Sequence, residues 1–185
     1  MEVPQTFTIE TERLRLRIPN SSDFPHIFSA TRYEGFNDGM QWEPPAQMSD
    51  LEEPLKRTLN AWKTGAGFSF SIDDKMNEQF LGRVSIRKTD LDKVYNIGFW
   101  THPEHQGRGV MKEAVTAILK FGFENLNAIR IEADYAIWNK ASEAVLTKNA
   151  FKFIKYNEKG FQKNGKWVAE NLVAIDKKAW KTLHD

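Results

Sequence analysis

The chain has 185 residues, 41% of them hydrophobic and 12% aromatic, enough for one domain over residues 1–185 with a sizeable core. Its 26 basic and 25 acidic side chains leave a formal charge of +1, which argues against a nucleic-acid binder that relies on a clustered positive field. With no cysteine the chain has no disulfide, thiolate metal site or thiol nucleophile, so any nucleophilic catalysis would have to use another side chain. In chain order, the start MEVPQTFTIETERL lacks the basic flank and apolar run of a signal peptide. No later stretch approaches the roughly 20 apolar residues of a membrane span. A cytoplasmic protein without membrane partners is expected.

The alternation from Arg13 to Ile18 predicts a strand with one buried face, ended by Pro19 and Asn20. Ser21, Ser22 and Asp23 offer caps for a helix from Phe24 to Tyr33. Glu34 to Asp50, rich in Gly, Pro and Asn, reads as an ordered loop. A helix from Leu51 to Lys63 places Leu51, Leu55, Leu59 and Trp62 on one face. Strands at Gly67–Ile72, Phe80–Arg87 and Val94–Trp100 are separated by polar turns and predict an antiparallel meander. Then come a helix from Gly109 to Phe123, a strand from Ile129 to Ala136 and a helix from Lys140 to Asn149. A hairpin of Phe151–Phe161 and Lys166–Ile175 turns at Asn164-Gly165, and Asp176 can cap a last helix. The fold class is mixed α/β, a largely antiparallel sheet flanked by helices.

The segment Phe99-Trp100-Thr101-His102-Pro103-Glu104-His105-Gln106-Gly107-Arg108-Gly109-Val110-Met111-Lys112 runs from a strand through a glycine-rich turn straight into a helix. The first amides of a helix lack internal partners and sit at its positive end, so such a turn suits a phosphate or diphosphate. A nucleoside-triphosphate loop would need Lys-Ser/Thr after the glycines, where Val110 stands. A dinucleotide fingerprint would need a third glycine where Lys112 stands. A glycine turn with no ligand is the plain alternative. His102 and His105 do not make a metal motif: Pro103 interrupts the helix such a motif needs, and no third ligand is apparent, so no metal is expected.

Gln106-Gly107-Arg108-Gly109-Val110-Met111 resembles the Gln/Arg-x-x-Gly-x-Gly/Ala diphosphate loop of the GNAT superfamily of N-acetyltransferases, with Met111 in place of the usual small residue. Thr11 to Arg17 is similar to the first strand of its RimJ/RimL-like branch, named for ribosomal-protein N-terminal acetyltransferases. Ile97-Gly98-Phe99-Trp100 resembles that branch's splayed fourth strand. Asn139-Lys140-Ala141-Ser142 followed by Val145, Lys148, Asn149, Ala150 and Phe151 resembles its Asn-x-x-Ser…Val-x-x-Lys-x-Gly-Phe signature, with Ala150 replacing glycine.

The resemblance implies the GNAT fold and acetyl-CoA as co-substrate. Its diphosphate would lie on the amides of Gln106, Gly107, Arg108, Gly109, Val110 and Met111. Its pantetheine would lie along Phe99, Trp100 and Thr101, with Asn139, Ser142 and Lys148 completing the cofactor site. It further implies Ser142 near the thioester sulfur, because the position of the usual tyrosine acid is Leu146, and Glu132 as the base, with Asp134 in reserve. Simple helix capping remains open for Asn139 and Ser142, and a solvated strand charge for either acid. Tyr33, Trp42 and Glu43 fall where this superfamily builds the acceptor wall, though both rings could simply pack over the core. The implied reaction acetylates a primary amine. A protein N-terminal α-amine comes first, then a small amine such as an amino acid, polyamine or aminoglycoside, and a non-catalytic acyl-CoA-binding domain is the third reading. A homodimer is left open.

Overall fold

In the computed structural model, which describes residues 3 to 183, the Leu14–Arg17 alternation does form a strand, with both leucines buried. It is the second strand of the chain, because Ile9–Glu10 (β1) pairs antiparallel with it (β2). Helix α1, Phe24–Ala30, ends three residues before the predicted Tyr33. Thr31 Oγ1 donates to the Phe28 carbonyl at 2.7 Å, and the Arg32 guanidinium stacks over Phe28 and bonds the Pro45 carbonyl, so contacts with the following loop unwind the last turn. Helix α2 spans Glu52–Thr64 and stops at Gly65, whose φ of 69° lies in the left-handed region. Of its predicted apolar face, Trp62 is buried to 1% exposure, while Leu55 and Leu59 are half-buried.

The expected meander follows as β3 (Gly67–Asp74), β4 (Phe80–Lys88) and β5 (Val94–Thr101), paired antiparallel. Helix α3 covers Val110–Lys120 and widens at Phe121–Asn125 into a π turn, which the 3.6-residue spacing alone did not foretell. Strand β6 (Arg130–Ala136) lies parallel to β5, and helix α4 is Lys140–Lys148. The closing hairpin, β7 (Lys152–Lys163) and β8 (Lys166–Asp176), turns at Asn164 and Gly165 with φ of 50° and 74°, the conformation an Asn-Gly pair favours between twisted strands. A short α5 (Lys177–Thr182) follows, and Asp176 stands at its N-cap position without a side-chain bond to the helix.

The sheet order is β1-β2-β3-β4-β5-β6-β8-β7. One face carries Phe70, Ile72, Val84, Ile86, Ile97, Ile131 and Ala133 and packs against Val110, Ala114 and Ile118 of α3, Leu146 of α4 and Trp180 of α5. The other face is covered at one end by α1, where Ile27, Leu51 and Phe80 pack together with Trp100. Beneath α1, Asp23 accepts from Arg17 Nη2 at 2.7 Å and from Ser71 Oγ at 2.6 Å, and Arg17 also pairs with Asp73. A buried carboxylate survives only when so satisfied, and this one ties α1 to β2 and β3.

What positions a site is the departure of β5 from β6. Their ladder runs from Val94↔Arg130 to Ile97↔Ala133 and stops. Strand β5 stays with β4 as far as Gly82↔Thr101, and β6 stays with β8 as far as Ala136↔Glu170. Residues 98–101 and 134–136 therefore diverge, and each strand keeps an inner edge of main-chain groups that the other does not satisfy.

Candidate active site

The mouth of this fork is built by sequence-local geometry. Pro103–His105 forms one 3-10 turn, after which Gly107 and Gly109 adopt φ of 75° and 76°, conformations that a side-chain-bearing residue rarely accepts. No side chain caps α3, and among the described residues no turn, loop or cap hydrogen bond uses the amides of residues 107 to 112. The Gln106 amide differs: it donates to the Pro103 carbonyl at 3.4 Å, so it is already engaged in the preceding turn. Gln106, Gly107, Arg108 and Gly109 are exposed, whereas Val110 and Met111 are buried in the core. Met111 thus faces inward and leaves its main-chain amide at the helix start.

A clamp that the sequence reading missed holds this turn. Glu113, in the first turn of α3, accepts from Thr11 Oγ1 at 2.6 Å, from the Arg13 amide at 3.0 Å and from Arg13 Nε at 2.7 Å. Arg13 Nη1 then donates to the Arg108 carbonyl at 3.0 Å. Burial alone would raise the Glu113 carboxyl, but the bonds from Thr11 and Arg13 outweigh it and hold the group below its ordinary value. The link spans residues about a hundred apart, so no local pattern announces it.

Phe99 and Trp100 line opposite faces of the diverging strand. Phe99 packs on the α3 side, and the Trp100 ring sits 5.4 Å from Phe36 and 5.8 Å from Phe80. The Thr101 carbonyl accepts from Gln106 Nε2 at 3.5 Å, the long limit for such a bond. Across the fork, Asn139 caps α4 by accepting from the Ser142 amide at 3.1 Å, and its Nδ2 faces Gly39. Ser142 is half-buried, and no hydrogen bond engages its hydroxyl among the described residues. Leu146, where a tyrosine acid would stand, is core at 1% exposure. Lys148 is exposed in the last turn of α4 and makes no ion pair among the described residues. Its neighbour Asn149 joins the two helices, accepting from Thr116 Oγ1 at 2.8 Å and donating to the Lys112 and Val145 carbonyls.

The acids of β6 separate clearly. Glu132 lies within the paired part of the ladder, opposite Asn96, and is bound by Arg130 at 3.0 Å. Asp134 lies just past the ladder's end, exposed, and accepts from Asn96 Nδ2 at 2.9 Å; Asn96 is itself oriented by Arg87 Nη2 at 3.0 Å. The structure adds Glu170 on β8, 6% exposed, on the same face and beside Gln41. Burial, then the charge of Asp134, push its carboxyl above the usual range. Nothing in the local sequence Val168-Ala169-Glu170-Asn171 marks Glu170. The antiparallel register alone brings it beside β6.

The acceptor-wall residues are placed by tethers. Tyr33 donates to Glu104 Oε1 at 2.5 Å, Gly39 lies against Trp138 and Asn139, and Glu43 pairs with Lys163 at 3.0 Å. Lys163 also donates to the Trp42 carbonyl, and the Trp42 ring meets Phe36. Residues 33–43 therefore cross the cleft as a strap, and Glu43 is neutralised by a lysine 9% exposed rather than presented to a cation.

The expectation that no third ligand accompanies the two histidines needs correction: candidate ligand atoms of His102, Glu104 and His105 lie within 4.8 Å of one another. His102 Nδ1 already accepts from the Glu104 amide at 3.3 Å, and the Glu104 carboxylate is taken by Tyr33. Burial first of all holds both imidazoles below their ordinary values and so favours the neutral form. His105 Nδ1 is buried without a hydrogen-bond partner.

Residues 13–152 match the family described as the Acetyltransferase (GNAT) domain. A probable N-acetyltransferase, YjcK of Bacillus subtilis, is 31% identical over 177 residues, covering 93% of this chain and 91% of that protein. The [ribosomal protein uS5]-alanine N-acetyltransferase of Escherichia coli is 25% identical over 120 residues, covering 64% of this chain and 62% of that protein. Among solved structures, RimL, a ribosomal L7/L12 α-N-protein acetyltransferase in complex with coenzyme A, superposes with a TM-score of 0.84 at 20% identity, over 94% of this chain and 99% of that one. A splayed β5–β6 fork with a glycine turn of unengaged amides at its mouth, on a sequence matched over these residues, makes the chain a member of the GNAT family and an N-acetyltransferase.

Proposed function

We propose that the protein moves an acetyl group from acetyl-CoA by direct attack onto a primary amine, with a protein N-terminal α-amine as the first choice of acceptor. The observation that carries this reading is the fork itself, whose inner edges are not paired with each other from Gly98 and Asp134 onward, followed by a glycine turn in which no turn, loop or cap hydrogen bond among the described residues uses the amides of residues 107 to 112. An extended amide-containing chain adds to such an edge as a strand would, and a diphosphate suits the helix start. A structure of the same fold, described as a ribosomal L7/L12 α-N-protein acetyltransferase in complex with coenzyme A, and a relative named as a ribosomal protein uS5 alanine N-acetyltransferase support both halves of the reading.

In this mechanism the amides of Gly107 to Met111 bind the diphosphate and the inner edge of β5 at Phe99–Thr101 aligns the pantetheine, with Lys148 available to the cofactor's outer anion. The uncharged amine nitrogen attacks the thioester carbonyl carbon, a C–N bond forms, and the C–S bond breaks. Ser142, whose hydroxyl makes no hydrogen bond among the described residues, donates to the departing thiolate, and a carboxylate on the face of the sheet that carries Glu132 and Asp134 takes the ammonium proton. Holding the two reactants together contributes most, since effective molarities reach about 10⁵ M or more.

The small-amine reading is favoured by one feature, the strap 33–43, which is tethered on both sides of the cleft and narrows access for an acceptor. The experiment is a thiol-release screen with acetyl-CoA across N-terminal peptides and small amines, with product masses by mass spectrometry. Transfer to peptides but not to amino acids or polyamines supports the first choice, and the reverse supports the second. Coenzyme A binding with no transfer to any amine leaves only an acyl-CoA-binding domain.

A further inference from the structure

Glu170 is a buried carboxylate on the acceptor side that the mechanism above does not assign. It is 6% exposed, it has no ion pair among the described residues, and it lies opposite Ala136 in the part of β6 that has already left β5. Directly opposed residues of an antiparallel pair share a face, so Glu170 stands on the same face as Asp134, two residues further along that ladder. Among the described residues the Asp134 carboxylate accepts from the neutral Asn96 and neither it nor Glu170 makes an ion pair, while the uncharged Gln41 of the strap is the polar neighbour of Glu170. By contrast, Glu132 already has Arg130 as its cation. The same face of the hairpin also carries the exposed Lys152, opposite Ala174, Lys155, opposite Leu172, and Lys166, opposite Lys163, which is itself taken up by Glu43 and the Trp42 carbonyl; toward the paired part of the ladder it carries Arg130, engaged with Glu132, and Arg87, engaged with Asn96. Gly160 on β7 explains how a long acid fits there: a Cβ at that position would collide with the Glu170 carboxylate, so glycine leaves its seat open.

Resting on the acetyltransferase reading above, we propose that Glu170, with Asp134 beside it, seats the ammonium group of the acceptor and takes its proton, in place of Glu132. Two adjacent carboxylates without a cation form a counter-charge for an incoming R–NH₃⁺. One N–H proton passes to the Glu170 carboxylate, and the freed lone pair attacks the thioester carbonyl carbon. The C–S bond breaks, and the thiolate is protonated through Ser142 by the proton that the new amide nitrogen sheds. The sum is R–NH₃⁺ plus acetyl-CoA giving R–NH-acetyl, CoA-SH and one proton, which Glu170 returns to solvent. Burial and the neighbouring Asp134 raise the Glu170 carboxyl, the direction that makes it a stronger proton acceptor.

The test uses the full chain and the best amine from the thiol-release screen. Glu170→Gln keeps the shape, and it is expected to lower kcat/KM for the amine about 100-fold or more. It should also remove the acid limb of the kcat/KM–pH profile and leave the coenzyme A Kd within threefold. Gly160→Ala retains the carboxylate but displaces it, and is expected to give an intermediate loss with the acid limb still present. Glu158→Gln, an exposed acid on the same hairpin, should behave as wild type. A folded Glu170→Gln protein with wild-type kcat/KM, or a Glu132→Gln protein that loses more than Glu170→Gln, overturns the proposal while the acetyltransferase reading stands. A wild-type protein that binds coenzyme A and acetylates no amine overturns both.

Discussion

At the glycine-turn end of the cleft the chain works with neighbours in sequence: Gln106 to Met111 form a turn and a helix start whose geometry follows from two glycines. At the acceptor end it works with residues from four separate segments, the strap 33–43, Asp134, Lys163 and Glu170, none meaningful without the sheet register. On the proposed reading the first end would bind through its main chain, which leaves side chains there free to vary, and Met111 is buried in the core. On the same reading the second end would recognise through side-chain charge, so its chemistry could be retuned without touching the cofactor. This difference explains how one fold serves many acceptors.

The comparison breaks most visibly at Gly109. Gly109→Trp forces a bulky residue into a φ of 76° at the anion seat and is expected to weaken coenzyme A binding by about 100-fold, near 2.7 kcal/mol, in calorimetry. Unchanged affinity would mean that the turn is not the seat. Ser142→Ala should lower kcat by about 10- to 100-fold in steady-state assays while the coenzyme A Kd holds. An unchanged turnover, with chemistry rate-limiting, would remove Ser142 from the reaction.

Smaller effects sharpen the contrast. Lys163→Met should release the strap and raise KM for the amine several-fold, with the coenzyme A Kd unaltered, because it frees Glu43 far from the diphosphate turn. Glu113→Gln should lower stability at neutral pH by about 1 kcal/mol in denaturant melts, a figure already reduced for the half-exposed Arg13. The sign follows from Glu113 being held below its ordinary value: its contribution is present above the unfolded pKa and lost as pH falls through the folded one. The gap between wild type and variant should therefore close below about pH 4. Least in size, Ala150→Gly should raise stability by about 1 kcal/mol, since Ala150 sits at φ 63° after α4, where glycine is unstrained.

The residues that were legible in the sequence are those whose role is local. The Asn-Gly hairpin turn, the α4 cap by Asn139, the alternation of β2 and the Gly107/Gly109 turn each depend on main-chain sterics over a few residues, and each stands where the pattern put it. The fold class follows from the same patterns, because alternating and 3.6-residue spacings dictate which faces must be buried. The placement of the acids did not follow. Glu132 and Asp134 look equivalent in the strand Ile131-Glu132-Ala133-Asp134, but the ladder ends between them, and Arg130 engages only the first. Likewise, Thr11, Arg13 and Glu113 are ordinary polar residues until β2 and α3 meet, and Glu170 is an ordinary strand acid until β8 pairs with β6. A side chain's charge state and freedom depend on what packs beside it, and those neighbours come from distant parts of the chain. Only the tertiary structure sets them.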